Sequence, residues 1–326
     1  MSDKMTILTY IRQQNSPVSM GQIKNDLSFS VTERTVRRWL NQAASAGDIV
    51  IQGNRRTTTY TCTAKGKGSK PFKFLQGKSP ALQEQILKLL RDFWTHHSTA
   101  IEGNTLSLGD TQFILDEGLT ISGKPIKDHQ EIIGHAGAIE LTYHMLQTGI
   151  TEKSLFDLHK AIQTDVIHNI YKPYGAWKIE PNGTRILGLN GKPTYLEYAH
   201  PNHVAALMQQ VINFINNTNH FKTSKNAIEA YTKIHTAIAH IHPFWDGNGR
   251  IARLVANIPM LKSGLPPIVI PNERRQQYIQ LLGNYQLQAG QLTNTTGLWP
   301  KQNQLKDFEH FCAQCYKETL KIIDIG

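Results

Sequence analysis

No apolar run in this 326-residue chain approaches the roughly 20 residues that a bilayer-spanning helix needs, which excludes a helical membrane protein. Three cysteines, Cys62, Cys312 and Cys315, are too few for a disulfide framework. Cys312-Ala-Gln-Cys315 has redox or zinc spacing, but His310 is the one further ligand nearby. Structural zinc takes four ligands, so these cysteines read as small buried apolar residues. A Walker loop, a dinucleotide fingerprint and an internal repeat are all missing. The start, Met-Ser-Asp-Lys, lacks the apolar core of a signal peptide, and the expectation is a cytoplasmic protein. Acidic residues are scarce in the first seventy positions. Eleven Lys and Arg stand there against four Asp and Glu, so that stretch holds +7 of the net +10. A first domain that meets a polyanion is one consequence.

What the chain does have is a dense polar stretch, His242-Pro243-Phe244-Trp245-Asp246-Gly247-Asn248-Gly249-Arg250-Ile251-Ala252-Arg253. Pro243 discourages a preceding helix from running through it. Gly247 and Gly249 free the backbone to turn successive N–H groups into one concavity. Helical spacing resumes at Asn248, so the concavity would sit at a helix N-terminus, where anions are favoured. Arg250 and Arg253 are three apart and would share one face, aimed along one ligand. Asp246 offers a hard oxygen to a divalent cation such as the Mg2+ that accompanies phosphates. His242 can take a proton near neutral pH. Together these residue types point to phosphate handling.

The stretch resembles the signature of the Fic family, His-x-Phe-x-Asp/Glu-Gly-Asn-Gly-Arg-x-x-Arg, at every fixed position. The resemblance implies a mainly α fold with a helical core and a β-hairpin flap; a separate resemblance, given below, puts a small winged helix-turn-helix domain before it. It implies transfer of AMP from ATP to a Tyr, Thr or Ser hydroxyl of a target protein or of the chain itself. His242, Asn248 and Arg250 would be catalytic. Phe244, Asp246, Gly247, Asn248, Gly249, Arg250 and Arg253 would form the ATP site, with Phe244 seating the loop in the core and Mg2+ on Asp246. Arg275-Gln276-Gln277-Tyr278 resembles a further family pattern, so Tyr278 lines the adenosine pocket or belongs to the core. Upstream, Ser98-Thr99-Ala100-Ile101-Glu102-Gly103 resembles the inhibitory motif Ser/Thr-x-x-x-Glu-Gly/Asn. It implies that Glu102 pairs with Arg253 and competes with the γ-phosphate. Several members of the family pair through their cores, so a homodimer stands open. Two other readings compete with transfer: removal of AMP from a modified protein, and a DNA-binding regulator whose core senses nucleotide.

Four segments follow along the chain. Residues 1–66 read as three helices (3–14, 19–27, 32–46) and a hairpin of strands 48–52 and 57–61, resembling a winged helix-turn-helix. Arg34, Arg37, Arg38, Arg55 and Arg56 would contact DNA, or this module docks protein instead. Residues 67–80, rich in Lys and Gly, read as a linker, with Phe72, Phe74 and Leu75 partly pinned. Residues 81–106 hold the inhibitory helix, and 107–326 the catalytic core. In that core, helices are expected at 107–117, 126–147, 154–167, 203–216, 226–241, 250–261, 273–289 and 305–323. Pro181-Asn182-Gly183 predicts a hairpin turn joining strands 177–179 and 185–187, within a flap from Trp177 to Tyr198. His159 is expected to be structural.

Overall fold

Ile7, Ile11, Val36 and Leu40 recur at helical spacing and meet, with Ile23, Ile49 and Tyr60, in the core of a first unit, Met1–Pro71. The computed structural model describes residues 3–14, 16–29, 31–45, 49–53, 58–62, 72–163, 171–187, 191–218 and 220–324. In the first unit these form α1 (Asp3–Gln13), β1 (Val18–Ser19), α2 (Met20–Asp26), α3 (Glu33–Ser45), β2 (Ile49–Gln52) and β3 (Thr59–Cys62). Ser19 and Gln22 cap α2 reciprocally. The strands pair antiparallel in the order β1-β3-β2, with Ile51 opposite Tyr60. Two residues of β1 are too few to leave a periodic signal, and the sequence did not predict that strand.

Among the described residues of the second unit, Phe72–Gly326, the regular elements are helices and one hairpin. It holds α4 (Pro80–Ile101), α5 (Leu108–Glu117), α6 (Ile126–Thr148), α7 (Glu152–Ile162), β4 (Gly183–Leu187), β5 (Pro193–Glu197), α8 (Pro201–Asn216), α9 (Ser224–Ile241), α10 (Asn248–Val255), α11 (Ile258–Lys262), α12 (Arg275–Ala289) and α13 (Lys306–Asp324). Helix α9 is apolar on nearly every face, as a central helix must be. Tyr231, Ile234, Ile238 and Ile241 are fully buried along it. Trp94 and Ile101 of α4 join the same core, so this helix is not a separate layer.

In the segment read as a linker, the residues expected to be pinned do pack: Leu75 is buried in a short 3-10 turn and the Phe74 amide donates to the Gly264 carbonyl. Two expectations change. The helix expected over 250–261 breaks after Val255, because Pro259 has no N–H to continue it. Asn257 stabilises the break, donating to the Arg253 and Ile268 carbonyls. The hairpin turn does not fall at Pro181-Asn182-Gly183. The strands are β4 and β5, with Arg185 opposite Tyr195, so the connection lies after Leu187. Residues 46–48, 54–57, 63–71, 164–170 and 188–190 lie outside the described residues, and with them Arg55, Arg56 and the end of the helix expected to reach 167.

Helix α7 approaches α6 closely at Gly134, where an added Cβ would overlap the Ala161 carbonyl. Gly134→Ala is therefore expected to cost about 1–3 kcal/mol, the range for overpacking. Gly137, one turn on, faces open space. Gly137→Ala should stabilise by up to about 1 kcal/mol through helix propensity. Urea unfolding midpoints of the two variants, shifted in opposite directions, check this contrast.

Candidate active site

The site is built where α9 stops. His242 caps α9 in the left-handed region at φ 53°, the one non-glycine residue with positive φ among the described residues. That conformation costs roughly 1–2 kcal/mol for a side chain with a Cβ, so the surroundings must hold it. Its imidazole lies flat on the Tyr198 ring, with centroids 3.8 Å apart and planes parallel. Nδ1 sits 3.4 Å from the Ala239 carbonyl. With Nδ1–H donating there, the lone pair falls on Nε2. Burial, and then the Lys178 ammonium, push the imidazole down to about 3. It is neutral at physiological pH, which leaves the Nε2 lone pair free.

Phe244 seats the loop that follows. It is fully buried, stacked on His159 at 4.1 Å and packed against Trp177. The Gly175 amide donates to His159 Nδ1, so Nε2–H donates to the Asp246 carbonyl at 3.2 Å. His159 thus supports the loop from below, and burial holds its pKa down to about 4. The Asn248 side chain closes the loop from within: Oδ1 accepts from the Phe244 amide at 2.8 Å, and Nδ2 donates to the Phe244 carbonyl at 2.9 Å. This departs from the sequence expectation of a side chain aimed at phosphate, because both ends of the amide are engaged by the loop.

Gly247, at φ 78°, precedes α10, and a Cβ there would meet Ile162 Cδ1 at 2.9 Å. A Cβ on Gly249 would overlap Glu102 Oε1, so the Glu102 carboxylate lies directly over the first turn of α10. It pairs with Arg253, Nη2 to Oε1 at 2.6 Å. Arg253 is almost fully buried and engaged through all three nitrogens: Nε donates to Ser98 Oγ, Nη2 to the Ser98 carbonyl, and Nη1 to Tyr278 Oη. Burial works against its charge, but Glu102 and Tyr278 outweigh it and raise the guanidinium's pKa further. Gly103, at φ 103°, lets the chain turn away after Glu102.

Arg250 and Arg253 have different partners. Arg250 donates to the Ile162 carbonyl at 3.1 Å and to Asp246 Oδ2 at 3.1 Å. The Asp246 side chain is otherwise 63% exposed. Tyr278 sits in the core behind Arg253, its hydroxyl 3.1 Å from His235 Nε2. Among the described residues no group of three or more His, Cys, Asp or Glu could hold a metal.

Three residues escaped the sequence reading. Lys178 is buried, with its amide donating to the Pro243 carbonyl at 2.8 Å and Nζ donating to Asn182 Oδ1 and the Ile241 carbonyl. Asn182 donates to the Phe244 carbonyl. Tyr198 packs on the His242 imidazole. Their polar and aromatic character gave no signal tying them to residues some 45 to 65 positions away. In the first unit, Arg34 and Arg38 are exposed, while Arg37 is held by Glu33 at 2.7 Å.

Residues 149–260 match the Fic/DOC family. The chain is 35% identical over 270 residues to the protein adenylyltransferase fic-1 of Caenorhabditis briggsae, covering 80% of this chain and 50% of the relative. It is 29% identical over 229 residues to the protein adenylyltransferase Fic of Drosophila willistoni, covering 70% and 40%. The chain therefore spans about half the length, or less, of these curated relatives. A Fic domain containing signaling protein from Bacteroides thetaiotaomicron has a similar structure, with TM-score 0.65, 28% identity, and coverage of 77% of this chain and 92% of that one. Family match, sequence relatives and structure agree with the loop between α9 and α10: the chain carries a Fic domain, set in the helical fold of the Fic proteins.

Proposed function

We propose that the chain is a protein adenylyltransferase, inhibited by its own Glu102, that moves AMP from ATP to a hydroxyl of a protein. One observation carries the reading. The Glu102 carboxylate lies over Gly249 at the start of α10 and on Arg253, the place to which backbone N–H groups and the helix dipole draw an anion. A phosphate would compete for the same partners. The names of the sequence relatives support the same activity.

The chemistry follows from the loop. A Tyr, Thr or Ser hydroxyl gives its proton to His242 Nε2 as its oxygen bonds to the α-phosphorus of ATP. The bond from that phosphorus to the bridging oxygen breaks, and pyrophosphate leaves with the electron pair. Backbone N–H groups from Gly247 to Gly249 stabilise the charge that grows on the phosphoryl oxygens. Arg250 contacts phosphate, and Arg253 takes the γ-phosphate once Glu102 lets go. The exposed Asp246 carboxylate suits Mg2+, which takes most of its ligands from phosphates and water and, when bound, would offset phosphate charge. The hairpin β4–β5 offers its edge to an extended target segment by strand addition.

Glu102→Gly is expected to raise covalent labelling of the chain or of a lysate protein at least about tenfold, for it removes an anion from the anion site. Mass spectrometry after incubation with ATP and Mg2+ reads it, and unchanged labelling would contradict the inhibitory assignment. A parallel assay starting from AMP-modified protein tests the reverse reaction, in which Glu102 would align a water. Duplex DNA binding by residues 1–71 is a second reading, resting on the exposed Arg34 and Arg38; a salt-dependent mobility shift tests it.

A further inference from the structure

The flap has two legs, and both end on the base. On the entering leg, Lys178 grips the chain on either side of His242. Its amide donates to the carbonyl after the histidine, Pro243, at 2.8 Å, and its Nζ donates to the carbonyl before it, Ile241, at 3.3 Å. The same Nζ donates to Asn182 Oδ1 at 2.6 Å, and Asn182 Nδ2 reaches the Phe244 carbonyl at 3.2 Å. On the leaving leg, Tyr198 lays its ring flat on the imidazole. The two legs are tied by the Tyr198 amide donating to the Asn182 carbonyl at 3.1 Å. The Lys178 ammonium also lies over the Tyr198 ring, 5.9 Å from its centroid.

A lysine buried to 2% exposure with no carboxylate hydrogen-bonded to it is expensive to keep charged. What it holds is the left-handed turn at His242, which an unrestrained histidine resists. We propose that Lys178 is a positioning residue for the base: with Asn182 and Tyr198 it locks the His242 turn to the foot of the flap, so that the imidazole keeps its place only while the flap is seated.

This inference rests on His242 acting as the base of the transfer reading. Burial pushes the Lys178 ammonium down to about 7, with Glu197 pulling the other way. The groups that face this pair are Glu197 and Tyr198 from the leaving leg and Asp246 from the loop. Below pH 7 Lys178 is a cation beside His242 and weakens it as a base. As pH rises through about 7 the cation is lost and the base strengthens.

The test uses the full chain carrying Glu102→Gly, with Lys178→Met or Lys178→Arg added. Lys178→Met is expected to lower kcat about ten- to a hundredfold with KM for ATP changed less than about twofold. In Lys178→Arg, which keeps the charge and most of the packing, most of kcat returns, but the rise in rate between pH 6 and 8 disappears, since a guanidinium does not titrate there. The His242 ring signals, followed at neutral pH by NMR of labelled histidine, should lose in Lys178→Met the ring-current shift that stacking on Tyr198 gives them in the parent, and this readout stands even if no transfer is seen. A kcat within twofold of the parent, an unchanged pH profile in Lys178→Arg, or unmoved His242 ring signals in Lys178→Met would each overturn the proposal. If Lys178→Met does not fold, the Lys178→Arg pH profile decides it. Absence of transfer in every chain, with the ring signals moved as expected, would instead count against the adenylyltransferase reading and leave the positioning role standing.

Discussion

Replacing His242 in the Glu102→Gly chain should lower AMP transfer by about 10²–10⁴-fold, the range a positioned general base supplies. The choice of substitution matters. Position 242 is left-handed at φ 53°, ψ 59°. Alanine pays a Cβ penalty there with no polar group to relieve it, whereas asparagine visits that region more readily. His242→Asn is therefore the cleaner probe. It should remove transfer while keeping the melting temperature closer to the parent than His242→Ala does. Titrating ATP into each variant separates chemistry from binding: affinity should stay within a few-fold, since the cradle is built by Gly247 to Gly249 and the arginines. Transfer within tenfold of the parent would show that the imidazole is not the base.

Acid should unfold this protein early. His97, His135, His159, His235 and His240 are all at most 5% exposed. Burial is the leading cause of depression at each, holding His97, His159 and His240 down to about 4 and His235 to about 3, with His135 well below its ordinary value. The Arg253 charge adds to the depression at His135 and His235. Each folded pKa lies below the unfolded value of about 6.5, so below that pH the unfolded chain binds more protons and stability is lost as pH falls. At pH 5 each such histidine costs about 2 kcal/mol. Five of them together rival the roughly 5–15 kcal/mol that holds a domain folded. The melting temperature should fall steeply between pH 6.5 and 5, as read by calorimetry or circular dichroism. A flat profile across that window would mean that these rings already find proton-accepting partners in the fold.

How the sequence disclosed its fold depended on how local each feature was. The stretch from His242 to Arg253 is contiguous, so its turn, its glycines and its helix start could be read directly, and the structure brings Glu102 onto Arg253 across 151 positions. Helices such as α4, α8 and α9 followed from apolar spacing within a residue or two at most ends. The failures were non-local. Pro181-Asn182-Gly183 has turn chemistry, but Lys178 and Asn182 are drawn to the loop of residues 241–244, which pulls that stretch out of the hairpin. Arg250 and Arg253 share a helix face by spacing, yet the Ile162 carbonyl and Asp246 capture one while Ser98 and Glu102 capture the other. Asn248 has the right chemistry for a phosphate, but it bonds the backbone of Phe244 instead. In each case a partner distant in sequence, or a competing backbone group, outweighed the local pattern.

The measurement that bears most directly on the account is a two-label transfer. The Glu102→Gly chain is incubated with Mg2+ and ATP labelled on either the α- or the γ-phosphate, alongside the same chain carrying His242→Asn. The account predicts that protein retains the α-label alone, and that His242→Asn loses it. Retention of the γ-label, or α-labelling that survives without His242, would contradict it.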